Sequence, residues 1–403
     1  MHLPELDYKK IALVIGFLLV TFFFGFLIYL FFFRPMLVSP PANINEEIPP
    51  TNTVRNLNTN GSLPSDNNTN KAPGRKSTED DTADGGLTRT KKIVTDGVKG
   101  VEMDLDNNQV VYYNRHDGKF YKINKNGESV LLSEKTFFDV RNITWSLDKD
   151  TVIMEYPDGS NIAYNFEAEK QTTLPLSWEE FEFAPDNNKV ITKTYGSRKN
   201  DNQLIIADLK TGQAKIIEGL GDKGDNFQIA WSPDNQVVAF FTETIDFDHQ
   251  EVYFIGQHSE NFKSIIVDGL GFQGKWSPKG DKILYSVYNS TSNYEPTLWI
   301  TSKSGAYKKR LFVNTWAEKC TFYSDNIIYC GVPQQLGEMM GLSPNYALKV
   351  DDDIYRIDID RNMSEKIATP ETGHNIEKLM VDENEKTLYF SDRRTGRLYQ
   401  IDL

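Results

Sequence analysis

From Leu105 to the C-terminus, short apolar runs alternate with tight polar turns, and one turn keeps returning. Trp145-Ser146-Leu147-Asp148, Phe183-Ala184-Pro185-Asp186, Trp231-Ser232-Pro233-Asp234 and Trp276-Ser277-Pro278-Lys279 each precede a β-branched or aromatic run. A large apolar residue closes one strand, Pro sets φ near −65°, and Asp, Asn or Gly completes the turn into the next. Weaker copies begin at Leu105, Phe322 and Val381, which makes seven anchors spaced by 40, 38, 48, 45, 46 and 59 residues. Each predicted hairpin is followed by a third strand, such as Val252 to Ile255, and a fourth, such as Ser264 to Val267. Four strands in roughly 40 to 50 residues is the size of one propeller blade.

The last unit lacks a fourth strand, since only 22 residues follow Val381. At the other end Lys92 to Thr95 precedes the first blade with no hairpin of its own. The expectation is an all-β, seven-bladed propeller in which Lys92 to Thr95 pairs with Arg397 to Ile401 and closes the ring, removing two open sheet edges. The propeller domain is expected over residues 88–403; its Trp-Ser-Pro-Asp copies resemble the TolB-like, WD40-like propeller repeat family over roughly residues 90–403, and Leu388 to Asp402 is similar to a YWTD-type blade. The resemblance implies a fold and an interaction role at the cell envelope, not a reaction.

Ahead of the propeller, residues 11–33 form a run of 23 residues without a charge and with eight Phe. As a helix this spans roughly 34 Å, enough for a bilayer. The flank Phe31-Phe32-Phe33-Arg34-Pro35 carries no small-x-small cleavage site, so an uncleaved anchor is expected rather than a signal peptide. Lys9 and Lys10 outweigh Arg34, which puts residues 1–10 in the cytoplasm and the propeller outside the cytoplasmic membrane of a bacterial cell. Residues 34–87, rich in Asn, Thr, Pro and Asp, read as a disordered linker.

Acidic residues exceed basic ones by 57 to 44, a net charge of −13 that argues against a nucleic-acid partner. The two cysteines, Cys320 and Cys330, flank the turn of blade six and face each other across the predicted hairpin. A disulfide is expected there, in keeping with an oxidising compartment.

Candidate chemistry is sparse. There is no Gly-x-Ser-x-Gly elbow and no hydrolase domain is expected after the ring. The five His, at 2, 116, 249, 258 and 374, lack metal-ligand spacing. Asp358-Ile359-Asp360 opens like a calcium loop but lacks its later Gly and Glu. No catalytic residue, metal or cofactor is assigned, and the chain is read as non-catalytic.

The connections between second and third strands are long in four blades, at 195–202, 244–250, 288–295 and 331–350. Alternate connections of a propeller share a face, so these should form one recognition rim. Its candidate binding residues are Tyr195, Arg198, Asp248, His249, Tyr288, Asn293, Tyr294, Met339, Met340 and Tyr346. The function expected is a membrane-anchored scaffold that docks an envelope protein. The alternatives are a glycan- or peptidoglycan-binding module, with Tyr and Asn side chains against sugar rings, and a propeller lyase or hydrolase whose site is assembled from several blades.

Overall fold

The computed structural model describes residues 79–403, apart from 125, 259 and 261, together with Leu19, Phe23 and Phe24. Seven antiparallel sheets follow one another along the chain, with inner strands Val98–Asp104, Asn142–Trp145, Trp178–Phe183, Phe227–Ile229, Leu270–Trp276, Cys320–Phe322 and Ile376–Val381. Neighbouring inner regions touch in order, and the seventh returns to the first, so the sheets close a ring. Helical structure in the propeller is confined to short 3-10 turns.

The recurrent turn works through its second residue. In blade 4 the Ser232 hydroxyl donates to Asp234 at 2.5 Å and accepts from the Val237 amide at 2.9 Å, tying both ends of the turn. Ser146 does the same with Asp148 and Thr151. In blade 7 the Asp382 carboxylate takes the Lys386 and Thr387 amides at 2.7 and 2.9 Å, and in blade 1 Asp104 takes that of Asn107. Asp104 thus stands where Ser146 stands, and the anchor of blade 1 is Met103, 8% exposed, rather than the expected Leu105, 69% exposed. A carboxylate can replace the hydroxyl because the turn needs only an acceptor for its free amides.

Lys91–Val94 forms the fourth strand of blade 7, with Lys91 opposite Gln400 and Val94 opposite Leu398. The expected closure is observed. The preceding residues are not loose: Leu87–Thr88 pairs in parallel with Thr369 and Pro370 as a fifth strand on blade 6. The Ala83 amide donates to Asp402 O at 2.8 Å, and that of Gly85 to Ile367 O at 2.7 Å. The sheet-bonded chain therefore starts well before residue 87, where the expected linker ends. Gly85 has φ +97°, a conformation open mainly to glycine. Among the described residues no helix is long and apolar enough to cross a membrane. The expected span at 11–33 lies outside the described residues, except for Leu19, Phe23 and Phe24.

Blades are joined by side chains reaching to neighbouring backbones. Trp145 Nε1 donates to Gly100 O at 2.6 Å and Trp276 Nε1 to Ala230 O at 3.0 Å. Gln228 exchanges two bonds with Gly274 at 2.7 and 2.8 Å, and Lys275 Nζ donates to Cys320 O at 2.7 Å. Cys320 pairs with Cys330 in the ladder and forms the expected disulfide, with Cα atoms 4.1 Å apart.

Candidate functional site: the loop-bearing face

The four long connections lie at one end of their strands, and those of blades 4 to 6 bond to each other. Asp248 accepts from the Ser290 amide at 2.8 Å and its hydroxyl at 2.6 Å, which joins the loops of blades 4 and 5 and holds the Asp248 carboxyl below its ordinary range. Asn293 O accepts from Met339 N at 2.9 Å, and Tyr294 O from Gly341 N at 2.8 Å, joining blade 5 to blade 6. Asn375 Nδ2 donates to Ala347 O and Val350 O, both at 3.0 Å, joining blade 6 to blade 7. Four blades therefore share one bonded rim.

The candidate residues distribute unevenly over this face. His249 meets Asp246 at 2.8 Å within its own loop. Tyr288 and Tyr294 are half-buried with ring centres 6.4 Å apart. Tyr195 packs beside Gly224 and exposed Arg198 sits 3.7 Å from Asp201, both on blade 3 and outside the bonded series. The insert of blade 6 divides into two parts. Gly341 and Ala347 are buried, with no room for a Cβ at Gly341 beside Tyr294 O, and Met340 turns its sulfur to the Gly337 amide at 3.2 Å. Met339, Leu342 and Tyr346 face outward, 54%, 43% and 60% exposed, and Phe247 on blade 4 is 89% exposed.

Inside the rim, the inner regions of blades 3 to 7 surround a 760 Å³ cavity at the channel mouth, to which Tyr288 contributes. Its charges are mostly self-paired: Lys193 with Glu180 at 2.8 Å, Arg393 with Glu318 at 2.7 Å, and Lys378 with Glu102. Lys275 has a backbone partner instead. Burial, then repulsion from Lys378, brings its ammonium down to about 8. On the inner strand of blade 3, burial pushes Glu182 up to about 7, against the hydrogen bond it receives from Trp231 N.

Sequence reasoning missed two paired groups. His374 is buried, with Nδ1 2.7 Å from Asp392 and Nε2 2.8 Å from the Thr372 hydroxyl, and its ring lies 4.3 Å from that of Tyr399. Burial opposes the Asp392 charge, but His374 and the Thr395 and Arg394 amides outweigh it and hold the carboxyl low. The three consecutive acids Asp351, Asp352 and Asp353 serve separate partners, Arg394 at 2.6 Å, Lys319 at 2.7 Å and Thr369 at 2.8 Å. Among the described residues no three His, Cys, Asp or Glu side chains converge on a metal-sized site.

No family model and no curated protein sequence matches the chain. Solved structures do. The β-propeller domain of Cps50 (Swd1) from Myceliophteria thermophila superposes with a TM-score of 0.53 at 8% identity, over 78% of this chain and 99% of that one. Oligogalacturonate lyase from Vibrio parahaemolyticus gives 0.51 at 11% identity, over 78% and 93%, and the tricorn protease 0.51 at 11%, over 76% and 33%. At such identities the likeness establishes the seven-bladed fold alone. The expectation that this chain is not an enzyme is corrected here: a lyase is built on a similar propeller, so neither the fold nor the absence of a sequence motif excludes catalysis.

Proposed function

We propose that the chain is an envelope recognition module, held at the cytoplasmic membrane by residues 11–33, that docks a protein partner on the loop-bearing face. The observation that carries this is the bonded rim of blades 4 to 6 with Phe247, Met339, Leu342 and Tyr346 exposed on it. Large apolar side chains held outward on a rigid scaffold are the kind of anchors that fill a partner's pockets. Asp246 and Glu338 lie beside them in sequence, which suits a partner whose apolar patch is bordered by basic side chains. The resemblance of the Trp-Ser-Pro-Asp turns to the TolB-like family supports the compartment.

The test is a photo-crosslinking residue installed at Phe247 in the full chain in native membranes, beside one at Leu147, an exposed turn position at the opposite end of the strands. A discrete adduct from the Phe247 position alone is expected. No adduct there, or the same adducts from both positions, overturns the docking surface.

A further inference from the structure

Between blades 1 and 2, away from the long loops, a second cavity of 690 Å³ opens on the same face. Three cations line it: Lys99 from the first strand of blade 1, Arg115 from the turn after its second strand, and Arg141 from the connection into blade 2. In a chain of net charge −13 this is unexpected. Among the described residues none of the three meets a carboxylate at ion-pair distance, in contrast to Lys193, Arg393 and Lys378 at the channel mouth. Burial first and then the Arg115 charge lower the Lys99 ammonium; Glu377 pulls it back up, and Arg141 adds a smaller lowering.

Lys99 is also fixed in place. Its Nζ donates to Arg141 O at 2.6 Å and Val140 O at 3.3 Å, which leaves one of its three N–H groups free. Two carboxylates, Asp139 and Asp158, also line the cavity and leave it one net positive charge, but neither pairs with the three cations. Asp158 is occupied by the Ser160 hydroxyl at 2.6 Å and its amide at 2.9 Å. Asp139 sits at φ +59° and makes no ion pair among the described residues. The walls are aromatic: Phe138 is 61% exposed, and the Tyr156 hydroxyl finds only the Met154 sulfur at 3.9 Å.

We infer that this cleft binds an anionic saccharide, with the carboxylate of a uronic acid held among Lys99, Arg115 and Arg141 and the sugar face laid on Phe138. Arg side chains give planar two-point contacts to carboxylates, and an exposed aromatic ring offers an apolar surface to sugar C–H groups. A cluster of unpaired like charges loses repulsion when an anion enters it, which favours occupancy.

The test uses the full chain in detergent at low salt, titrated with a labelled alginate tetrasaccharide, a chain of uronic acids. Saturable binding is expected, with unlabelled alginate but not neutral cellotetraose competing. Arg115 and Arg141 are exposed, so the double variant Arg115→Gln/Arg141→Gln should fold and lose affinity by about ten-fold or more. Phe138→Ala should lose several-fold. No saturable binding, or binding that the double variant leaves unchanged, overturns the site. Binding that survives Phe138→Ala intact and yields equally to inorganic phosphate overturns the assignment of a sugar.

Discussion

Lys319 and Asp352, both fully buried, meet through two contacts of 2.7 and 2.9 Å, and the same carboxylate accepts the Ile376 amide of blade 7 at 2.6 Å. Burial pushes the ammonium down and the carboxyl up, while each partner pulls the other back. The pair ties the third strand of blade 6 to the inner strand of blade 7. Removing one member leaves an uncompensated buried charge, so Lys319→Met or Asp352→Leu should cost about 3–5 kcal/mol. Replacing both with apolar residues should recover most of that loss, as read from denaturant midpoints.

Glu182 makes stability depend on pH. Its folded value near 7 lies above the ordinary 4.5, so the native state holds the proton more tightly than the unfolded chain. The favourable contribution is complete below about 4.5 and is lost as pH rises through about 7. Glu182→Gln keeps an acceptor for Trp231 N without the charge. It should raise stability at pH 8 on the order of 2 kcal/mol and flatten the pH profile between 4.5 and 7.

The Cys320–Cys330 bridge closes a loop of sequence separation 10. Chain entropy assigns such a loop about 2.7 kcal/mol. Mass analysis without reduction should find no alkylated thiol. Cys320→Ala/Cys330→Ala should speed amide exchange chiefly in blade 6.

Phe247 touches little of the fold at 89% exposure. Phe247→Ser should leave the melting temperature nearly unchanged, within about 0.5 kcal/mol, and weaken partner docking by about ten-fold or more. A loss of stability equal to the loss of docking would assign Phe247 to packing instead.

The repeat was legible in the sequence because its signal is local: an apolar anchor, an acceptor at the second turn position, and a strand beyond. It blurred where a different residue met the same need, as when Asp104 took the place of Ser146 and drew the anchor to Leu105. The long loops were legible as interruptions, and four of their ten binding candidates, Asp248, Asn293, Tyr294 and Met339, make the bonds that join the loops of blades 4 to 6. Long-range pairings were not. Lys319 and Asp352 stand 33 positions apart, and Lys99, Arg115 and Arg141 come from one strand and two separate connections that only the packing of the blades brings together. The segment 79–87 misled for another reason: its polar side chains read as coil, while its backbone amides and carbonyls carry the pairing.

The fifth strand on blade 6 sits ahead of the strand that closes the ring. A pull arriving along the chain from the N-terminal side must first peel away the bonds of Ala83, Gly85, Gly86 and Thr88 to Asp402, Ile367, Thr369 and Glu371. Only then does the load reach Lys91–Val94. The segment acts as the strain relief on a cable, taking up load from that side before the strand that latches the ring.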